Sequence, residues 1–185
     1  MEKTPKGYMA KKGLVERLKK YICFNDEEKG KELNLDKDTL VTPETPYNKR
    51  IKFTVYEFEE LLDSSNITIQ DWVKIAKIIE SQYKHYDGFI VLHGTDTMAY
   101  TASALSFMLE NLNKTVVVTG SQIPILELKN DALDNFLGSL LVSGLYNIPE
   151  VCIFFNNKLL RGNRATKSST SIMEAFTSPD FPPLG

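Results

Sequence analysis

Phe89-Ile-Val-Leu-His-Gly-Thr-Asp-Thr97 decides the fold. Four apolar residues in a row read as a short buried strand, and the polar residues after them open into Met98, Ala102, Leu105, Met108 and Leu109 at helical spacing. A strand that is apolar throughout, rather than alternating, belongs to a parallel sheet covered on both faces. The same unit recurs on either side. Upstream, Ile51 to Phe58 alternates with Ile51, Phe53 and Val55 on one face, and Asp63-Ser-Ser-Asn forms a turn. Thr68-Ile-Gln-Asp71 then starts a helix carrying Trp72, Ile75, Ala76, Ile79 and Tyr83, which Asp87-Gly88 ends. Downstream, Thr115 to Thr119 is a strand, Ala132 to Leu145 a helix, and Glu150 to Phe155 a strand. This βαβαβαβ order predicts an α/β fold, an open, mostly parallel sheet flanked by helices on both faces. Ligands of such sheets sit beyond the carboxyl ends of the strands, so the chemistry is sought there.

The composition narrows the classes. The chain has 185 residues, 42% hydrophobic and 25% charged, and a formal net charge of −2. It holds enough apolar material for a core, which excludes a disordered chain. Runs such as Phe89 to Leu92 and Val116 to Val118 are far below the ~20 residues that span a bilayer, so no membrane partner is expected. The near-neutral charge gives no electrostatic footprint for nucleic acid. Cys23 and Cys152 form neither a disulfide framework nor a metal-site spacing, and Met1-Glu-Lys-Thr-Pro-Lys-Gly7 does not read as a signal peptide. A cytoplasmic setting is expected. The first 50 residues are richer in charge, with a loop at Thr42-Pro-Glu-Thr-Pro46. Within them a short helix over Leu14 to Tyr21 would place Leu14, Val15, Leu18 and Ile22 on one side.

Polar groups collect at three strand ends. His93-Gly-Thr-Asp-Thr97 reads as a strand-to-helix turn with Asp96 or Thr97 as N-cap, or as a hydroxyl and a carboxylate facing the crevice. Gly120-Ser-Gln-Ile-Pro124 stands at the next strand end, and Asp63-Ser64-Ser65 reads either as an ordinary polar turn or as part of a site. Arg161-Gly-Asn-Arg-Ala-Thr-Lys167 reads by composition as a solvated basic loop, and His85 and His93 as structural. No Gly-x-Gly-x-x-Gly, Walker loop, paired histidines or Gly-x-Ser-x-Gly occurs, so no cofactor and no metal are expected.

Taken together, Asp63-Ser-Ser-Asn-Ile-Thr68, the segment His93 to Asn111, Val118-Thr-Gly-Ser-Gln-Ile-Pro124 and the segment Phe154 to Lys167 resemble the cytoplasmic (type I) L-asparaginases, the animal members above all. The likeness runs from about Thr4 to the last residue. It implies an asparaginase N-terminal α/β domain over residues 1–178, with 179–185 opening an interdomain linker. It also implies hydrolysis of L-asparagine to L-aspartate and ammonia through a threonine acyl-enzyme. That chemistry needs an activated alcohol and a stabilised oxyanion. By motif, Thr95, Asp96 and Lys167 would form the proton relay, since a lysine taken out of water can accept a proton. Asp96 would also pair with the substrate ammonium, and Asp63, Ser64 and Ser65 would hold the α-amino and α-carboxylate ends. Gly120 and Ser121 would line the amide pocket, and Tyr8 would sit on the closing loop. The family further implies a homo-oligomer for the full-length protein.

One part of the family pattern is missing. Members open with an apolar strand ending in Thr-Gly-Gly-Thr, whose last threonine is the nucleophile, and no Thr-Gly-Gly-Thr occurs in this chain. The expectation is therefore a sheet without its first strand, on a chain cut at both ends that does not complete the reaction alone. The alternative is a non-catalytic module that still grips asparagine or aspartate.

Overall fold

A computed structural model describes residues 2–4 and 7–185, with 2–4 and 7–9 known by their backbone alone. It divides into two compact units, Met1–Leu61 and Leu62–Gly185.

In the first unit, β1 (Glu2–Thr4) pairs antiparallel with β2 (Gly7–Met9). Helix α1 (Leu14–Leu18) follows Gly13, whose φ of 91° suits only glycine, and the Glu57 carboxylate accepts the N–H groups of Gly13 and Leu14 at its start. α1 buries Val15 and Leu18 but ends before Tyr21, and Ile22, expected on the same side, is 82% exposed. Phe24, two residues on, is fully buried. After α2 (Glu27–Glu32), β3 (Thr39–Val41) pairs antiparallel with β4 (Lys52–Thr54). This corrects the strand expected over Ile51 to Phe58. Its alternation holds, but β3 is three residues long and offers partners only to Lys52–Thr54, so the pair forms a sheet of its own.

The second unit carries the α/β sheet. Helix α3 (Ile69–Gln82) begins where Thr68 donates its backbone N–H to the Asp71 carboxylate at 2.8 Å, half of a capping box. Then follow β5 (Gly88–Leu92), α4 (Met98–Met108), β6 (Thr115–Thr119), α5 (Ala132–Leu145), β7 (Val151–Phe155) and β8 (Lys158–Arg161). The sheet order is β5-β6-β7-β8, parallel except for β8. Asn156 and Asn157, with φ of 48° and 59°, form the two-residue turn of the β7–β8 hairpin, where a primed turn needs left-handed residues. Two-residue strands β9 (Thr166–Lys167) and β10 (Phe176–Thr177) pair antiparallel farther on.

Register separates the two faces. Ile90, Val117, Cys152, Phe154 and Leu159 share one face, packed with Val142 of α5, and Gly138 of α5 lies against Phe154. Burial on this face pushes the Cys152 thiol up to about 12, with the Glu150 charge adding to it. Val116, Val118, Ile153 and Leu160 are buried on the other face, and there α4 sets Met98 against Gly120 and Ser106 against Gly162. Both crossovers step in the same direction across the sheet while their helices lie on opposite faces. One of them is therefore left-handed, against the strong preference for right-handed connections.

Candidate active site

The carboxyl ends of β5 and β6 stay in register one residue past the strands, because His93 N–H donates to the Thr119 carbonyl at 2.8 Å. Beyond that point Gly120 is forced by proximity. A Cβ there would stand 2.1 Å from the His93 carbonyl oxygen, which is backbone and cannot turn away. Gly94 is fixed the same way, since its Cβ would meet Ser64 Oγ at 2.6 Å.

Between these two close approaches lie Thr95 and Asp96. Lys167, on β9, reaches both: Nζ donates to Thr95 Oγ1 at 2.8 Å and to Asp96 Oδ1 at 2.7 Å. The Lys167 side chain is 12% exposed and that of Asp96 64%, so the ammonium is held inside while the carboxylate keeps contact with water. The basic loop expected from composition therefore splits. Lys167 turns inward, and Arg161 bonds Glu150 at 3.0 Å and stacks over Phe181 at 4.5 Å.

The helix-cap reading of the turn holds in position but not in bonding. Thr97 occupies the N-cap position of α4, but its hydroxyl makes no capping bond and donates instead to the Ser64 carbonyl at 2.6 Å. That bond ties the 3-10 turn Ser64–Asn66 to the Thr95 loop, with Ser64 only 4% exposed. Asp63 precedes the turn and accepts both the N–H and the hydroxyl of Ser65, at 2.9 and 2.8 Å. These bonds hold its carboxyl below the usual aspartate value. Thr95, Asp96, Lys167 and the Asp63–Ser64–Ser65 turn thus come together, and Ser121 stands in the loop that follows β6. Tyr8 has no described side chain.

One contributor was absent from the sequence-based set. Gln122, beside Ser121, accepts the Thr95 hydroxyl at 3.3 Å through Oε1, and its Nε2 donates to the carbonyls of Ser169 and Ile172 at 3.4 and 3.3 Å. The start of α5 braces its backbone: Asp131 accepts the N–H groups of Gln122 and Ile123 at 2.9 and 2.8 Å. Buried Asn135 joins Gly120 O to Asn156 N, each at 2.9 Å. The signal for Gln122 in the sequence is its place three residues past the end of β6, inside the segment Val118 to Pro124 that carries the family resemblance. Among the described residues no group of three or more His, Cys, Asp or Glu is placed to hold a metal ion, and no helix is long and apolar enough to cross a membrane.

Residues 22–185 match the family model for asparaginase, N-terminal. The chain belongs to the asparaginase family. It is similar to the 60 kDa lysophospholipase of Mus musculus, 53% identical over 173 residues, which cover 94% of this chain and 31% of that protein. It is equally similar, at 53% over 151 residues, to L-asparaginase 1 of Escherichia coli strain K12, covering 82% of this chain and 45% of that enzyme. Among solved structures, L-asparaginase I of Vibrio cholerae aligns with a TM-score of 0.69 at 57% identity, over 71% of this chain and 40% of the other. The chain therefore spans less than half the length of these relatives. The fold shared with the Vibrio cholerae enzyme is the mostly parallel, helix-covered sheet of asparaginase N-terminal domains.

Proposed function

We propose that this cluster is the proton-handling part of an asparaginase-type amidohydrolase that converts L-asparagine and water to L-aspartate and ammonia. The observation that carries the reading is Lys167 Nζ standing within hydrogen-bond reach of Thr95 Oγ1 and Asp96 Oδ1 together. The Thr95 hydroxyl, which accepts from Lys167 Nζ and faces the Gln122 amide oxygen, can take the proton of an oxygen that bonds the side-chain carbonyl carbon and pass its own to the departing amide nitrogen. The bond from the side-chain carbonyl carbon to nitrogen then breaks, and the proton leaves with ammonia. Asp63, Ser64, Ser65 and Asp96 supply a carboxylate pair for the substrate ammonium and hydroxyls for its carboxylate, with Ser121 and the Gly120 backbone along the amide. Tyr8 is assigned the closing loop on resemblance. Residues 1–178 are read as the N-terminal domain, with 179–185 opening a linker, and the full-length protein as a cytoplasmic homo-oligomer.

The acyl-enzyme threonine of the family stands in Thr-Gly-Gly-Thr, which this sequence does not contain. Loss of a nucleophile lowers rates by several orders of magnitude. The 185-residue chain is accordingly expected to bind L-aspartate or L-asparagine without hydrolysis. Calorimetric titration with both amino acids tests the grip, with Asp63→Asn and Ser64→Ala expected to weaken it. No heat of binding up to millimolar ligand would reject the grip. Sustained ammonia release that Thr95→Ala abolishes would reject the inactivity.

A further inference from the structure

A second line of hydrogen bonds ends at the Gly94 carbonyl, one residue before Thr95, and is not explained by the site itself. Trp72, on α3, donates its indole N–H to Thr101 Oγ1 of α4 at 2.9 Å. Thr101 is fully buried, and its Oγ1 lies 2.8 Å from His93 Nε2. His93 Nδ1 in turn lies 2.7 Å from the carbonyl oxygen of Gly94. The direction of the chain follows from chemistry. An indole only donates, so the threonine oxygen accepts there and its own proton is free for His93 Nε2. A carbonyl only accepts, so Nδ1 carries the ring proton. The last acceptor belongs to the Gly94–Thr95 peptide, whose plane sets the direction in which the Thr95 side chain leaves the backbone.

We infer that Trp72, Thr101 and His93 are positioning residues that fix the Gly94–Thr95 peptide and thereby hold the Thr95 hydroxyl against Lys167. The inference rests on reading Thr95, Asp96 and Lys167 as the reacting cluster. Gly94 is the point at which such a device is needed. The residue lacks a side chain because Ser64 leaves no room for one, so nothing of its own restrains its peptide. The side-chain hydrogen bonds of Trp72, Thr101 and His93 described above run to one another and to the Gly94 carbonyl rather than to Lys167 or Asp96, which sets them apart from catalytic residues. A bond between Thr101 and Trp72 alone would serve only to pack α3 on α4. The continuation through the imidazole to the peptide before Thr95 is what a packing role does not require.

The chain offers unusually clean probes, since Trp72 is its single tryptophan and His93 one of two histidines. On the isotope-labelled 185-residue chain, the His93 ring nitrogens are expected to show one fixed neutral tautomer, protonated at Nδ1. Thr101→Val keeps the shape and removes the hydroxyl. It is expected to move the Trp72 indole resonance, to let the His93 tautomers average, and to shift the backbone amides of Thr95 and Asp96. Thr101→Ser is expected to restore all three. If Thr101→Val unfolds the chain, His93→Asn and His93→Leu decide, because asparagine keeps a donor for the Gly94 carbonyl and leucine does not. Movement of the Trp72 and helix signals with Thr95 and Asp96 unmoved would overturn the inference. In L-aspartate titrations, Thr101→Val and His93→Leu should weaken binding about three- to tenfold, the size of one buried hydrogen bond, with Thr101→Ser and His93→Asn within about twofold of the parent. Unchanged affinity in both weakened variants would also overturn it. A parent chain that binds no L-aspartate rejects the functional reading, while the resonances of Thr95 still decide the positioning.

Discussion

Lys167 and Gly120 carry the site in different ways, one by what it donates and the other by what it lacks. The bond from Lys167 to Asp96 joins a nearly buried ammonium to a carboxylate that water still screens, and is worth about 1 kcal/mol. Lys167→Met is therefore expected to change the melting temperature little while freeing the Thr95 hydroxyl, which calorimetry and the Thr95 resonances can read separately. Gly120→Ala is a different kind of change. Its Cβ would be driven into the His93 carbonyl, so the two strand ends must part, and a loss of about 1–3 kcal/mol is expected in urea titrations. His93 adds a pH signature. Burial holds its imidazole below the ordinary 6.5, with the Gly94 carbonyl drawing it partly back. A folded value below the unfolded one means that the unfolded chain takes up the proton first as pH falls. The stability His93 contributes is then complete above about 6.5 and declines as pH drops from there toward the folded value. Urea midpoints at pH 7.5 and 5.5 should differ more for the parent than for His93→Asn, and equal differences would contradict the assignment.

The elements most legible in the sequence are those whose apolar pattern is set by local burial. Thr115–Thr119 and Ala132–Leu145 stand where the periodicity puts them, because a fully buried strand and an amphipathic helix write their own period. What stayed hidden depends on partners distant in sequence. Ile51 to Phe58 alternates correctly, but its paired length is set by β3, and β8 escaped notice although Asn156-Asn157 is a hairpin turn signal. The site follows the same rule. Thr95 and Asp96 could be singled out at a strand end, whereas Lys167 lies 72 residues from Thr95 and entered only through resemblance. The bonds that Gln122 and Asn135 make needed the fold to be seen. The hairpin turn makes a direct test, since Asn157 holds a φ of 59° that branched residues resist. Asn157→Val is expected to lose about 1–2 kcal/mol and Asn157→Gly none, measured as urea midpoints. The reverse order would mean that the Asn157 side chain, not its backbone, holds the turn.

At the scale of the whole molecule, the open side of β5 is the feature with the largest consequence. Among the described residues β5 is hydrogen-bonded to β6 alone, although its sequence is as apolar as that of a central strand. The His93 N–H points at β6, and alternation along a strand then sends the amides of Phe89 and Val91 the same way. Those of Ile90 and Leu92 face the other side, and Leu92 is 46% exposed. Unpaired apolar edges recruit further strands, and the family pattern supplies a candidate in the apolar strand that ends in Thr-Gly-Gly-Thr. In the 185-residue chain, hydrogen exchange at Ile90 and Leu92 is therefore expected to be orders of magnitude faster than at Val117 and Val118, which sit in the middle of the sheet. A longer form of the protein carrying that strand should protect Ile90 and Leu92 to the level of β6. It should also bring the threonine beside the Thr95–Lys167 pair, so that ammonia release and protection at these two amides appear together. Strong protection of Ile90 and Leu92 in the 185-residue chain at dilute concentration would show that the edge is already filled, and would remove the structural reason for expecting it to be inactive.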